Sequence, residues 1–160
     1  MAVGSGAINI AGTAGAGGSG GNVGVNTSGS GTISSVDGAI SITGTGGIGN
    51  GSVIRDHGVQ IGGTNALKST GTGGITITGT VTNNDNAYSD GVLVSGGGLS
   101  TNTGNIKLDG TGLVNYQKAV NVTAAVRSTS GNIYIRSPGA NITTRSEERR
   151  VGKECLRLCR

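Results

Sequence analysis

One phrase is written five times in this chain, and it restricts the fold more than any other feature. The copies are GAINIAGT from Gly6, GAISITGT from Gly38, GGITITGT from Gly73, GNIKLDGT from Gly104 and GNIYIRSP from Gly131. Their first isoleucines fall at 8, 40, 75, 106 and 133, so successive copies lie 32, 35, 31 and 27 residues apart. A period of this size is the mark of stacked repeats, each of which cannot bury its apolar face alone. Inside each phrase, apolar and polar residues alternate. Ile75 and Ile77 face one way, Thr76 and Thr78 the other, which is the period of a half-buried strand. Ile, Val and Thr branch at Cβ and suit a pleated surface.

Two weaker signals lie between the copies. A second short phrase reads NVGVN at 22–26, GVQIG at 58–62, GVLVS at 91–95 and AVNVT at 119–123. A third apolar position follows at Ile33, Leu67, Leu99 and Val126. Short strands at regular spacing also suit a sandwich of hairpins, whose tight turns favour Asn-Gly and Asp-Gly. Such pairs occur at 37–38, 50–51, 90–91 and 109–110. Near-identity of the copies favours another solution, in which equivalent strands stack in parallel, one coil above the next. Ile8, Ile40, Ile75, Ile106 and Ile133 then form one inward column, and Ile10, Ile42, Ile77, Leu108 and Ile135 a second. The expected fold is an all-β solenoid of about four to five coils over residues 1–144. Each coil holds two or three short strands, with Gly-rich corners between them. Insertions collect in corner loops, with GTAGAGGSGG after Gly12 and TNNDNAYSD at 82–90 as candidates.

Composition narrows the function. Gly fills 34 of 160 positions, yet without the three-residue period and proline of collagen. Through Thr144 the charges are six Lys/Arg against five Asp, a balance of +1; the last sixteen residues supply the other +3 of the overall +4. A nearly neutral body has no basic patch, so nucleic acid is not an expected partner. No apolar run is long enough to span a bilayer as a helix, and MAVGSGAINI lacks the basic and apolar regions of a signal peptide. High glycine content makes a few coils marginal in stability, so the body reads as a slice of a longer stack.

The stretch from Gly38 to Thr80 resembles the Gly/Thr/Asn-rich repeats of filamentous-haemagglutinin-like and autotransporter-type bacterial surface proteins. The resemblance is one of repeat style and extends over nearly all of residues 1–144. It implies a right-handed parallel β-helix, secreted or displayed on the outer surface. Its implied role is adhesion to host or environmental glycans or proteins through weak, multivalent contacts. Membrane association would come only through other parts of the parent protein.

The last sixteen residues break the pattern. They carry the only three Glu and the only two Cys of the chain. Arg145–Cys155, RSEERRVGKEC, resembles a translated sequencing adapter, which would make 145–160 a non-native or irregular basic tail. The alternative is a basic C-terminal arm, with Val151, Cys155 and Leu158 near one face of a helix. Cys155 and Cys159, four apart with no His nearby, are a weak metal signal.

Other candidate residues each have a plainer reading. His57, the only histidine, needs a positioned Ser and Asp for catalysis, and adjacency of Asp56 does not supply that geometry. Its expected role is a polar residue leading into the next strand. Asp85 and Asp90 sit in an oxygen-rich stretch that suits Ca²⁺, but without the calcium-binding nonapeptide pattern a solvated corner loop is expected. Tyr88 in that stretch is the aromatic most suited to touch a partner. Asp109 and Arg136 hold equivalent outward places in successive phrases, a surface pair worth roughly 0.2–1 kcal/mol. The outward columns Asn9, Ser41, Thr76, Lys107, Tyr134 and Ala11, Thr43, Thr78, Asp109, Arg136 contain no paired carboxylates for acid–base work. No catalytic, cofactor or metal residue is therefore assigned. The expected function is a non-enzymatic structural or adhesive segment. The alternatives are a piece of a carbohydrate-active β-helix lyase or hydrolase, or a stalk that binds nothing.

Overall fold

A computed structural model describes residues 5–17, 21–49, 55–64, 66–82, 88–113, 117–138 and 141–144, with the backbone alone for 66 and 141–144. The tail at 145–160, with both cysteines, and Asp85 lie outside the described residues. The described chain forms fourteen strands. Four triplets follow one another: β1 (Ile8–Thr13), β2 (Val25–Thr27), β3 (Thr32–Ser35); β4 (Ile40–Thr45), β5 (Val59–Ile61), β6 (Ala66–Ser69); β7 (Ile75–Thr80), β8 (Asp90–Val94), β9 (Leu99–Thr101); β10 (Ile106–Thr111), β11 (Lys118–Val122), β12 (Val126–Ser128). The pair β13 (Ile133–Arg136) and β14 (Asn141–Thr144) completes the order.

Each triplet gives one strand to each of three parallel sheets. The first runs β1-β4-β7-β10-β13, the second β2-β5-β8-β11-β14 and the third β3-β6-β9-β12. The protein is thus a β-solenoid with a three-sided cross-section, built from the three apolar signals of the sequence. Hairpin pairing is absent among the described strands: every pairing is parallel.

Register follows the phrase residue for residue. Ile8 pairs with Ile40, Ile40 with Ile75, Ile75 with Ile106 and Ile106 with Ile133. Each of these isoleucines up to Ile106 donates its N–H to a carbonyl of the next coil, at 2.8–2.9 Å. The interior columns of Ile40, Ile75, Ile106 and of Ile42, Ile77, Leu108 are fully buried. They meet Val59, Val92, Val120 and Ile61, Val94, Val122 from the second sheet, and Leu67 and Leu99 from the third. Burying each such side chain contributes roughly 1.5–3 kcal/mol.

Two columns of glycine explain why the phrase is spelled as it is. A Cβ at Gly38, Gly73, Gly104 or Gly131 would collide with the carbonyl of the phrase-opening glycine one coil earlier. A Cβ at Gly12, Gly44, Gly79 or Gly110 would collide with the second-sheet backbone at Gly24, Gly58, Gly91 or Ala119. The first column lets coils stack at a corner. The second lets the first and second sheets close on each other. Ser35, Ser69, Thr101 and Ser128 line the inside of the opening corner, and their hydroxyls bond carbonyls there, as in Thr101 to Gly104 at 2.6 Å and Ser128 to Gly104 at 3.1 Å. The corner between second and third sheets turns on positive φ, at Gly63 (69°) and Gly97 (63°), a region that favours glycine.

One sequence expectation needs correction. Asp90 does not belong to a solvated corner loop: it opens β8 and is buried. Asp109-Gly110 is strand interior in β10, as the outward column of Thr78, Asp109 and Arg136 requires, and its glycine serves the sheet closure. Asp37-Gly38 is a corner, where the exposed Asp37 carboxylate accepts from the Thr72 N–H at 2.9 Å and its hydroxyl at 3.2 Å.

Candidate functional site

The second sheet begins with residues that do not repeat. Register aligns RDHGVQI at 55–61, YSDGVLV at 88–94 and, from Gln117, QKAVNV at 117–122. Val59 pairs with Val92 and Val92 with Val120. His57, Asp90 and Lys118 therefore occupy one column, and Asp56, Ser89 and Gln117 the neighbouring one. Arg55 and Tyr88 lead in from solvent. Self-comparison of the second phrase, extended three residues towards the N-terminus, contains this alignment. It was missed because the residues differ in every copy.

Asp56 is fully buried and acts as a clamp. Its carboxylate accepts the Asn22 N–H at 2.7 Å and the Gly49 N–H at 2.6 Å, while its own N–H donates to Ser89 Oγ at 2.9 Å. The contacts join three successive coils. Hydrogen bonds to an ionised acceptor are short and strong. The Asp56 carboxylate is thereby turned to backbone N–H groups.

His57 is buried and stacks on the strand above. Its Nδ1 accepts the Asp90 N–H at 2.9 Å, so the proton of the neutral ring sits on Nε2. The Asp90 carboxylate lies 3.8 Å from Nδ1 and accepts from Asn121 Nδ2 at 2.9 Å. Burial pushes the His57 pKa below its usual value; Asp90 opposes that shift and the Arg55 charge adds to it. The ring is therefore neutral near pH 7. Ser, His and Asp are all present here, but they are wired as a fastener. Ser89 gives its oxygen to a backbone N–H, and Nδ1 of His57 is occupied in the same way.

Asn121 is half-buried, and its Oδ1 is enclosed with no hydrogen-bond partner among the described residues. An unsatisfied buried acceptor costs about 1–3 kcal/mol. Above this floor opens a cleft of about 240 Å³, with Arg55, Tyr88, Leu93 and Lys118 on its walls. Tyr88 is 72% exposed and stands at the rim.

The remaining candidates lie elsewhere. Asp109 and Arg136 pair across β10 and β13, with Arg136 Nη1 3.8 Å from Asp109 Oδ2; Lys107 Nζ lies 3.5 Å from the same oxygen. This is an exposed ion cluster. Among the described residues no group of three His, Cys, Asp or Glu side chains gathers to hold a metal, and no helix is long and apolar enough to cross a membrane. No family model, curated protein or solved structure matches the chain.

Proposed function

We propose that this chain is a non-enzymatic, adhesive segment of a large secreted or surface-displayed bacterial protein, and that it holds glycans by weak contacts repeated along the stack. The observation that carries this reading is the registered outward face. Asn9, Ser41, Thr76, Lys107 and Tyr134 stand one above another, as do Thr43, Thr78, Asp109 and Arg136. Polar side chains fixed at strand spacing make a regular surface suited to a long polar polymer. Such a surface gains avidity by length and copy number.

The wiring of His57 also favours binding over turnover. A general base needs a free nitrogen facing the proton it removes. Nδ1 is occupied by the Asp90 N–H, and Nε2 carries the ring proton. The test is display on a tetrameric carrier against a panel of surface glycans. The tetramer should be retained about 10²-fold or more better than the single chain. Equal, negligible retention of both forms would favour a stalk that binds nothing.

A further inference from the structure

We propose that the cleft at the start of the second sheet is a subsite for one carboxylate-bearing sugar residue, such as a hexuronate within an acidic polysaccharide. The inference rests on the adhesive reading and names the class of glycan.

Two features of the cleft, its cations and its aromatic rim, select this ligand together. Its walls bring two cations, Arg55 and Lys118, to one opening. The guanidinium is a planar fork suited to a carboxylate, and the ammonium adds a mobile point charge. At the rim, the exposed Tyr88 ring offers a flat apolar face beside Leu93. An aromatic with a polar tip suits a ligand that is apolar on one face and wet on its edge. At the floor lie the His57 ring, whose Nε2 carries the proton, and the Asp90 carboxylate, held by Asn121 Nδ2. A plain anion such as phosphate would meet the two cations but leave the Tyr88 face uncovered. A neutral sugar would cover that face but bring no charge. A sugar acid brings a carboxylate and a C–H face in one ring. The volume of about 240 Å³ lies below the usual range for drug-sized ligands and fits a single monosaccharide unit.

The negative charge of Asp90 does not defeat the site. Its carboxylate is almost enclosed, with Asn121 bonded to it and Lys118 directly above it in register. Arg55 is exposed to the incoming ligand. The two cations thus face the opening, and the one anion lies beneath it.

The test is titration of the full chain with trigalacturonate and with the matching neutral trigalactoside, followed by ligand-observed NMR. The acidic trimer is expected to bind in the millimolar range, at least about tenfold better than the neutral one. Raising salt should weaken it, because the contact is charged and exposed. Tyr88→Ala and the double variant Arg55→Gln/Lys118→Gln should each lower affinity about fivefold or more, with far-UV circular dichroism unchanged. Asp109→Asn, outside the cleft, should leave affinity intact. Equal affinity for the neutral trimer, or affinity untouched by the cleft variants, overturns the subsite. If the variants still adhere to glycans as tetramers, the subsite alone has failed. If neither the wild-type chain nor its tetramer binds any glycan, the adhesive reading has failed with it.

Discussion

Replacing Ile77 and Thr76 with the same residue, aspartate, separates the inside of the solenoid from the outside at adjacent positions. Ile77 is fully buried between Ile42 below and Leu108 above. Truncation to alanine alone should cost about 2–5 kcal/mol, from lost transfer and the cavity left behind. Aspartate adds an unpaired charge in an apolar column, or the cost of protonating it there, so its effect must exceed that of alanine. Thr76 faces outward in register between Ser41 and Lys107. Aspartate there has a lysine as its next neighbour along the column, a contact worth roughly 0.2–1 kcal/mol. Total stability for a domain of this size is about 5–15 kcal/mol. Ile77→Asp should therefore remove a large part of it and Thr76→Asp almost none. In urea, with a slope of about 1–3 kcal/mol per molar, a loss of 3 kcal/mol moves the midpoint by about 1–3 M. Equal midpoint shifts for the two aspartates would refute the assignment of faces. A smaller shift for Ile77→Asp than for Ile77→Ala would refute the apolar character of the column.

Two further outcomes follow from particular atoms. The Thr27 hydroxyl is buried without a partner among the described residues, in the column continued by Ile61 and Val94. Thr27→Val keeps the branched shape and removes the orphan, so thermal unfolding should shift upward by about 1 kcal/mol of stability; a downward shift would show that the hydroxyl is engaged. The pKa of His57 is depressed in the folded chain, so the unfolded chain binds the proton more readily below about pH 6.5. Stability should be full above that pH and fall as pH drops through the depressed folded value. His57→Asn, which can keep an acceptor for the Asp90 N–H, should flatten that part of a urea-midpoint profile between pH 7 and 5; an unchanged slope would clear His57 as its source.

What the sequence discloses follows from how the fold is encoded. The inward columns repeat in chemistry as well as position, so Ile40, Ile75 and Ile106 announce their stacking. The glycines of the phrase were legible as turn residues, but their actual work is close approach, because their spacing alone does not say which carbonyl lies opposite. The cluster of His57, Asp90 and Asn121 is built across coils at positions whose residue changes from one coil to the next. Repetition cannot reveal such a group, although the shared GV of GVQI and GVLV would have aligned His57 with Asp90. The same blind spot placed Asp90 in a loop: its oxygen-rich neighbours suggested solvent, whereas the backbone N–H it lends to His57 holds it in β8.

The central claim is that this surface holds glycan without cleaving it. It is tested most directly by incubating the tetramer-displayed chain with pectin, glycosaminoglycan and glucan while recording both retained polymer and released ends. The account predicts retention of an acidic polymer with no new reducing or unsaturated ends. Release of such ends, abolished by His57→Asn or by Asp90→Asn, would contradict it.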